Sequence, residues 1–382
     1  MSSTKQPVIV LGAGMIGSAM AQDLAAAGGL EVHIADSRPE ALERVAKKIP
    51  VRTHLADLGD PEAVRALLKG FRLAIGALPS VIGLQSVKAS IEAGCDIVDI
   101  SFMAEDARAL DALARERGVT AVTDCGVAPG LTNMVAAHAA GQFDSCQRIE
   151  MSVGGLPAIR KWPFNYKAGF APWDVIEIYT RPATVMENGR LIVKEAMSDL
   201  ELIDVPGVGT LESFVTDGLR SLADTLKVPN MVERTLRWPG HVELMRVFRE
   251  TGFFSLEPLA VGGQTLRPRD LTAALLFPKW TFDEGEADIT VMRVLASGLK
   301  GGAAHRFTFD FVDRYDAASG LRSMSRSTGF TATAVAGLIL DGTLKEPGVH
   351  APEALGARPG ILDRVLDYLR ARGVRCEMSA RS

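Results

Sequence analysis

The sequence is poor in cysteine and histidine, and neither residue forms a pattern that binds metal or performs redox chemistry. It has four cysteines and six histidines, with no CxxC, HxxxH or HExxH spacing. No GxSxG nucleophile elbow occurs either. These absences argue against a zinc finger, a redox dithiol and an α/β-hydrolase, and they predict reduced thiols in a cytoplasmic protein.

Long apolar runs and clustered basic residues are also absent. No run reaches the roughly 18 apolar residues of a membrane span, and the first residues lack the apolar core of a signal peptide. The 42 basic and 46 acidic residues leave a net charge of −4, with no basic stripe that would bind nucleic acid. The 382 residues therefore predict a cytoplasmic protein of two or three domains without a nucleic-acid or membrane partner.

The first third of the chain alternates strand-like and helix-like segments. Six apolar, strand-length runs are separated by helical patterns, and they cover residues 7–11, 30–35, 51–55, 73–77, 96–100 and 119–123. This alternation predicts an α/β fold with a doubly wound parallel sheet, that is, a Rossmann domain.

The pattern changes after residue 143. Strand-like runs dominate, at 148–154, 175–180, 190–195, 289–296 and 306–312, with helices expected at 211–226 and 242–250. They predict a second, α+β domain with a mostly antiparallel sheet. Two further helices, at 328–341 and 361–372, have small-residue faces suited to close packing. We therefore expect a Rossmann domain of residues 1–143, completed by C-terminal helices within 320–382, and a substrate-binding domain of residues 144–319.

A glycine-rich loop follows the first strand. It reads Gly12-Ala13-Gly14-Met15-Ile16-Gly17 and has the GxGxxG spacing. In such loops the three glycines permit the tight turn, the close approach of the pyrophosphate and the packing of helix on strand. Glycines also occur in ordinary turns, but here the loop joins a strand to a helix and an acid follows about 20 residues later. The loop therefore predicts a dinucleotide site.

Further candidate cofactor residues follow the ends of successive strands. Asp36 ends the second strand, where a carboxylate binds the adenosine ribose hydroxyls and favours NAD over NADP. Arg38, next to Ser37, could bind a 2′-phosphate instead, so NADP stays open. The other candidates are Asp57 and Leu58, then Ala77, Leu78 and Pro79, and finally Asp99 and Ser101. Asp57 has an alternative role as the N-cap of a helix that starts near Pro61.

Three segments carry a resemblance to a known family: the loop at 12–17, the segment from Asp124 to Asn133 (DCGVAPGLTN), and Arg237 to His241 (RWPGH) with Thr235 before it. Together they resemble the saccharopine dehydrogenase and lysine 6-dehydrogenase family. Residues 154–157 (GGLP) match the start of that family's second domain. The resemblance implies a Rossmann domain interrupted by a substrate and dimerisation domain, NAD(P)-linked chemistry at a carbon–nitrogen bond of an amino acid, and a homodimer. The size and Asp36 are most similar to lysine 6-dehydrogenases, which oxidise the lysine ε-amine.

Amine oxidation requires a neutral nitrogen, and therefore a group that takes a proton. His241 is one candidate, because histidine titrates near neutrality; alternatively, it only hydrogen-bonds backbone where a helix begins. Asp124, which ends the sixth strand, is the second candidate and has an alternative role in capping the Pro129-Gly130 turn. Cys125 is in principle a candidate nucleophile, but we interpret it as a small residue that lines the site.

Cations must contact the α-carboxylate of an amino acid. Arg237 is a candidate carboxylate clamp, because its planar fork binds in bidentate fashion, and a surface salt bridge is its alternative role. The remaining substrate candidates are Thr235, Tyr166, Arg181, Pro129 and Gly130, with Tyr179 as a weaker one. For Arg181 and the two tyrosines, packing or surface roles are the alternative.

These observations predict an NAD-dependent oxidoreductase that acts on the CH–NH2 group of an amino acid, with lysine 6-dehydrogenase as the first hypothesis. Its product would be allysine, which cyclises to Δ1-piperideine-6-carboxylate. The alternative enzyme is an NADP(H)-linked reductase of the saccharopine or carboxynorspermidine type. A protein that binds NAD without catalysis is the alternative of another class.

Overall fold

The computed structural model describes residues 5–381, in which the chain forms two compact units. The first unit comprises the chain up to His138 together with Ser325–Arg375. The second comprises Ala139–Met324 and the residues from Cys376 onward. The predicted domains, 1–143 with 320–382 and 144–319, have boundaries close to these, except at the C-terminal end.

Strands and helices are numbered in chain order through the described residues. The strands are β1 (Gln6–Leu11), β2 (Leu30–Asp36), β3 (Arg52–Leu55), β4 (Leu73–Gly76), β5 (Asp96–Asp99), β6 (Thr120–Val122), β7 (Ser145–Pro157), β8 (Ala183–Glu187), β9 (Arg190–Lys194), β10 (Glu201–Val205), β11 (Gly209–Val215), β12 (Met231–Arg237), β13 (Leu259–Val261), β14 (Gln264–Leu266), β15 (Asp288–Lys300), β16 (Ala303–Arg314), β17 (Gly348–His350) and β18 (Cys376–Arg381). The α-helices are α1 (Met15–Ala27), α2 (Pro39–Ala46), α3 (Pro61–Leu68), α4 (Ser80–Glu92), α5 (Asp111–Arg117), α6 (Leu131–Ala140), α7 (Pro172–Thr180), α8 (Leu222–Thr225), α9 (His241–Glu250), α10 (Pro268–Trp280), α11 (Ser323–Leu340), α12 (Pro352–Gly356) and α13 (Ile361–Ala371). A short 3₁₀ helix, Ala107–Leu110, precedes α5.

The first unit contains a parallel sheet of seven strands in the order β17-β6-β5-β4-β1-β2-β3. Residues 8–11 of the central strand β1 and all of β4 are buried on both faces, which is the pattern of a sheet covered by helices on each side. The order reverses at the β1–β4 junction, where Rossmann domains bind dinucleotides. The predicted Rossmann fold is confirmed.

The seventh strand, β17, was not predicted. It is only three residues long and lies between two prolines, so its sequence carries no periodic signal. It pairs parallel with β6 and so extends the sheet at that edge. The two helices predicted at 328–341 and 361–372 correspond to α11 and α13.

The second unit contains a mixed sheet of nine strands. Seven of them follow the order β10-β11-β12-β7-β15-β16-β18, and β8 joins β12 to β9. Most neighbours are antiparallel, and β12 with β7 is a parallel pair. A separate two-stranded ribbon is formed by β13 and β14. The prediction of a second domain with a mostly antiparallel sheet is confirmed.

Two predicted elements of the second unit are wrong. Residues 175–180, expected as a strand from their β-branched side chains, belong to helix α7, which starts with a proline at its first turn and buries Val175, Ile176 and Tyr179 at helical spacing. Residues 211–226, expected as one helix, form β11, a turn and the short α8. The run Leu211–Val215 is buried on both faces of the sheet, so it lacks the alternation that marks a strand.

The C-terminal end also differs from the expectation. Helices α11 to α13 belong to the first unit, but β18 lies in the second, where it pairs antiparallel with β16. The exposed edge of β16 would otherwise leave unpaired backbone groups, which a terminal strand satisfies. Helical periodicity, from which the C-terminal helices were predicted, gives no information about this strand pairing.

Candidate functional site

The loop between β1 and α1 has the geometry of a phosphate cradle. Gly12 has φ +105°, and a Cβ there would lie 2.5 Å from the carbonyl oxygen of Ala77. A Cβ on Gly17 would lie 1.9 Å from the carbonyl oxygen of Gly12, whereas around Gly14 there is open space. Helix α1 begins at Met15 without a side-chain cap, so its first N–H groups can bind an anion. The predicted dinucleotide loop therefore fits a pyrophosphate.

Asp36 at the end of β2 is joined to this loop. Its Oδ2 accepts a hydrogen bond from the N–H of Ala13 at 2.7 Å. Arg38 donates to the same carboxylate, from its backbone N–H at 2.9 Å and from Nε at 3.0 Å. Burial alone would raise the pKa of Asp36, but the hydrogen bonds from Arg38 and Ala13 hold it below its usual value. Ser37 between them is exposed.

The residues after β3 and β4 have mainly structural contacts. Asp57 is exposed, and its Oδ1 accepts from the N–H of Gly59 at 2.9 Å. Asp60, not Asp57, caps α3, so the N-cap alternative for Asp57 is wrong. Leu58 and Leu78 are buried in the core of the first unit. A contact with the cofactor stays a prediction for Asp57 and Leu58.

Two carboxyl groups lie at the ends of neighbouring strands: Asp99 is the last residue of β5, and Asp124 comes two residues after β6. Asp99 is fully buried, and its oxygens accept from the N–H of Ser101 at 2.8 Å and from the Ser101 hydroxyl at 3.2 Å. Burial raises the pKa of Asp99 to about 7, and the charge of Asp124 adds to the rise. Burial, together with the charges of Asp99 and Asp124, raises the pKa of the Cys125 thiol. Cys125 therefore carries no reactive thiolate near neutral pH.

The segment predicted to form a turn before α6 is a tightly bonded loop. Its Ala128–Pro129 peptide is cis, and Gly130 has φ +134°. A Cβ on Gly130 would lie 2.0 Å from the carbonyl oxygen of Gly126. The side-chain oxygen of Asn133 accepts from the N–H of Gly130 at 3.0 Å. Pro129 and Gly130 thus shape the backbone, and a contact with substrate stays a prediction for both.

Arg237 is the last residue of β12, and its exposed fraction is only 2%. Its Nε donates to the Tyr179 hydroxyl at 3.2 Å, and one terminal nitrogen donates to the Leu236 carbonyl at 2.9 Å. The guanidinium lies over the Tyr166 ring, 4.6 Å from its centroid. Among the described residues no carboxylate forms an ion pair with it. The alternative of a surface salt bridge is therefore wrong.

Burial opposes the charged form of Arg237, yet the phenols of Tyr179 and Tyr166 hold its pKa above the usual value. Buried cations in proteins are normally paired with an anion. A buried guanidinium whose partners are phenols and a carbonyl therefore favours an anion that comes from outside the chain. This geometry supports the carboxylate clamp predicted from the sequence.

His241 lies beside this arginine in a chain of hydrogen bonds. Its Nδ1 bonds the Phe164 carbonyl at 2.8 Å and must therefore carry the proton. Its Nε2 then accepts from the Tyr179 hydroxyl at 2.8 Å, and Tyr179 accepts from Arg237. Glu212 accepts N–H bonds from both sides of His241 and so fixes the start of α9.

The predicted proton-transfer role of His241 relied on a pKa near neutrality. Burial lowers the pKa of His241 to about 3, and the charge of Arg237 acts in the same direction. Both ring nitrogens are also occupied. His241 therefore stays neutral near pH 7, and its contacts orient Tyr179 rather than receive a proton, so this prediction is corrected.

The remaining substrate candidates have different surroundings. Thr235 is buried on β12, and its hydroxyl lies 2.9 Å from that of Thr216. Tyr166 is 4% exposed, and no described group hydrogen-bonds its hydroxyl. Arg181 lies 3.8 Å from Glu177 one helical turn earlier, which is a structural ion pair. Tyr166 and Thr235 thus lie close to Arg237, while Arg181 has the structural role that was its alternative.

Sequence reasoning missed Glu233. Its exposed fraction is 4%, and Thr216 donates a hydrogen bond to its Oε2. Burial raises the pKa of Glu233 to about 7. The signal was the spacing: Glu233, Thr235 and Arg237 are two residues apart, so one face of a strand carries all three.

Metal and membrane sites are not found in the described residues. No group of three or more His, Cys, Asp or Glu side chains there could hold a metal ion. Between residues 5 and 381, no helix has the length and hydropathy needed to cross a bilayer.

Comparison with protein families gives two matches. The saccharopine dehydrogenase NADP binding domain matches residues 8–122, and the saccharopine dehydrogenase C-terminal domain matches residues 126–374. The second match alone covers more than half of the chain. The chain belongs to the saccharopine dehydrogenase family. The resemblance seen in the loop at 12–17 and in the segments at 124–133 and 235–241 is confirmed at family level.

Relatives in this family are distant. Bovine mitochondrial alpha-aminoadipic semialdehyde synthase is 23% identical over 95% of the chain, which spans about half of that enzyme (47%). Saccharopine dehydrogenase [NADP(+), L-glutamate-forming] of Saccharomyces cerevisiae is 21% identical over 95% of the chain and 96% of the yeast enzyme. Carboxynorspermidine synthase of Vibrio cholerae is 24% identical over 64% of the chain and 60% of that enzyme.

Solved structures show the same fold. Apo saccharopine dehydrogenase (L-Glu forming) from Saccharomyces cerevisiae superposes with a TM-score of 0.81 at 19% identity, covering 99% of this chain and 100% of the yeast chain. Homospermidine synthase from Legionella pneumophila, in complex with NAD, has a TM-score of 0.66 at 12% identity, covering 99% of this chain and 92% of that one. At such identities the likeness concerns the fold.

Proposed function

We propose that this family member is a nicotinamide-dependent oxidoreductase that acts on a carbon–nitrogen bond of an amino acid. The observation that carries the proposal is Arg237, a buried cation with no carboxylate partner among the described residues. A substrate carboxylate is the anion that an amino acid would supply. The phosphate loop at Gly12–Gly17, in the same chain, supports the cofactor half of the proposal.

The cofactor proposed is NAD. The open space at Gly14 and the uncapped start of α1 would hold the pyrophosphate, and Asp36 would hold the ribose hydroxyls. When bound, the nicotinamide ring accepts a hydride. The ionised carboxylate of Asp36 would repel a 2′-phosphate. Arg38, which already contacts Asp36, is the residue through which NADP would be accommodated.

L-Lysine is the proposed substrate. Its ε-carbon would lose a hydride and its ε-nitrogen a proton, which leaves an imine. Water then adds to the imine and ammonia departs, giving allysine, which cyclises with loss of water to Δ1-piperideine-6-carboxylate. Arg237 would bind the α-carboxylate, and the hydroxyl of Tyr166, whose ring lies against the guanidinium, would be a second donor.

The proton of the ε-ammonium must leave before oxidation. His241 is neutral and both of its ring nitrogens are hydrogen-bonded. We therefore assign the role of proton acceptor to the carboxyl groups of Asp99 and Asp124 instead. Asp99 titrates at about 7, so it can accept a proton near neutral pH, and its pKa depends on Asp124. Asp124 remains a proposed proton-transfer residue, now as part of this pair.

An NADP-linked reductase of the saccharopine or carboxynorspermidine type is the second candidate. The match of residues 8–122 to an NADP binding domain and the names of the yeast and Vibrio relatives favour it. Such an enzyme would reduce the imine formed between an amine and a carbonyl compound. The same Arg237 would then bind a carboxylate of either partner.

One assay separates these candidates. The purified protein is given NAD+ with L-lysine, or NADPH with an aldehyde and an amino acid, while the absorbance of the reduced cofactor is followed. We expect cofactor reduction in the first mixture. Oxidation of NADPH in the second mixture alone would favour the reductase. Binding of NAD+ without turnover in either would leave a non-catalytic NAD-binding protein. The predicted homodimer is tested separately by light scattering, and the cytoplasmic location stays a prediction.

A further inference from the structure

Three buried side chains of the second unit each have a polar atom without a hydrogen-bond partner among the described residues. They are the second terminal nitrogen of Arg237, the hydroxyl of Tyr166 and Oε1 of Glu233. Their exposed fractions are only 2%, 4% and 4%. Polar groups on side chains buried to this degree are normally hydrogen-bonded, whereas the bonds of Arg237 and Glu233 use their other polar atoms. Two donors and one acceptor thus lack partners in one part of one unit.

Glu233 is held so that one carboxyl oxygen stays available. Thr216 donates to Oε2, and Thr235 is hydrogen-bonded to Thr216 in turn. A Cβ on Gly218 would lie 2.4 Å from the carboxyl carbon, so glycine there leaves space for the group. The carboxyl is therefore held by one oxygen, and residues 5–381 offer no hydrogen-bond donor to Oε1.

Glu233 lies on the same face of β12 as Arg237, because side chains four residues apart on a strand share a face. The two groups influence each other's pKa, yet they form no ion pair. The neighbouring Arg234 lies on the opposite face of the strand and pairs with Glu150 and Glu201 instead. A carboxyl and a guanidinium thus share one face of the strand and interact electrostatically without forming an ion pair.

An α-amino acid carries opposite charges on adjacent groups, which is the complement of this arrangement. We propose that Glu233 binds the α-ammonium group of the amino-acid substrate, while Arg237 binds its α-carboxylate. The proposal rests on the proposed function for the assignment of Arg237. It makes Glu233 a residue that selects α-amino acids over carboxylic acids that lack the α-amine.

The test compares ligands that differ only in the α-amine. L-Lysine is paired with 6-aminohexanoate, and L-glutamate with glutarate, and each is titrated calorimetrically into the full chain. We expect the wild-type protein to bind at least one amino acid roughly tenfold to a hundredfold more tightly than the analogue that lacks the α-amine, which is the value of a charge-assisted hydrogen bond. Glu233→Gln should remove that preference and leave the affinity for the desamino partner unchanged.

Controls separate recognition from folding. Glu257→Gln alters an exposed glutamate of the same unit and should keep the preference. Thr216→Val removes the hydrogen bond to Glu233 and should reduce the preference by a smaller factor. Thermal unfolding of each variant checks that it is folded.

Two results would overturn the assignment of Glu233. One is a wild-type protein that prefers neither amino acid, and the other is a preference that survives Glu233→Gln. Equal losses of affinity for both members of a pair would instead point to a structural role of Glu233 and also contradict recognition of the α-amine. A preference that depends on Glu233, in a protein that turns over no amine, would contradict the proposed function alone.

Discussion

His241 and Glu233 are both buried in the second unit, and burial moves their pKa values in opposite directions. The imidazole of His241 has a pKa of about 3 and is therefore uncharged near neutral pH. The carboxyl of Glu233 has a pKa of about 7 and is therefore mostly protonated below that pH. Both shifts follow from the cost of removing a charge from water. The residue type alone therefore does not reveal which group can exchange a proton near neutrality.

Tyr179 connects His241 to Arg237, so its hydroxyl should position the guanidinium. In Tyr179→Phe we expect KM for the amino acid to rise roughly threefold to tenfold, the value of one ordinary hydrogen bond, with little change in kcat. The pH dependence near neutrality should not change, because His241 does not titrate there. Steady-state kinetics measure this, with Tyr315→Phe as control. A fall in kcat with unchanged KM would contradict a positioning role.

Asp36 should decide the choice of cofactor. In Asp36→Ala we expect NAD+ affinity to fall by roughly tenfold or more, since a hydrogen bond to a charged group is lost, while NADP+ binding falls less or improves. Arg38→Ala should affect NADP+ more than NAD+. Fluorescence titration of both cofactors measures these changes. Equal losses of both cofactors in Asp36→Ala would disprove the ribose assignment.

At the scale of elements, the Rossmann strands and helices were predictable and several of the second unit were not. In the first unit, each strand is a short apolar run bounded by turn residues, and the GxGxxG loop fixes the first crossover. In the second unit, α7 is rich in β-branched residues, and β11 is buried on both faces from Leu211 to Val215. There, tertiary packing overrides the local pattern, because burial on both sides removes the periodicity that distinguishes strand from helix.

The phosphate loop offers a matched pair of glycine substitutions. Gly17→Ala places a methyl group against the backbone of Gly12, so we expect the free energy of unfolding to fall by roughly 1–3 kcal/mol or more. Gly14→Ala meets open space, so stability should hold while NAD+ binding weakens by roughly tenfold, about 1.4 kcal/mol. Denaturant unfolding and cofactor titration measure the two effects. Normal NAD+ affinity in a folded Gly14→Ala would contradict the pyrophosphate assignment.

At the scale of the whole molecule, two buried carboxyl groups should make stability depend on pH. Asp99 and Glu233 both titrate at about 7 in the folded chain, above their usual values of 3.8 and 4.5. The folded state therefore binds more protons than the unfolded state in this range, and stability must fall as pH rises from about 5 to 8.

In Asp99→Asn we expect this pH-dependent loss to shrink by an amount on the order of 3 kcal/mol. Urea unfolding at several pH values measures it. Glu116→Gln, an exposed substitution in the same unit, is the control and should leave the slope unchanged. A slope in Asp99→Asn equal to that of the wild type would show that Asp99 is already ionised at low pH.

The candidate site was predictable in its residue types and only partly in their roles. Gly12, Gly14, Gly17 and Asp36 belong to a local motif, and the structure gives each the expected surroundings. The role of His241 depended on Tyr179 and Phe164, which lie far from it in sequence. Glu233 was missed because its relation to Arg237 requires the bounds of β12 to be known.

Carboxylate recognition by Arg237 is the central claim, and kinetics with two amines test it most directly. Formation of reduced cofactor is followed with L-lysine and with cadaverine, which lacks the α-carboxylate, in the wild type and in folded Arg237→Gln. We expect kcat/KM for lysine to fall by roughly 30-fold or more, the loss of about 2 kcal/mol or more from a buried charge pair, while cadaverine is little affected. An unchanged kcat/KM for lysine in Arg237→Gln, or equal losses for both amines, would contradict it.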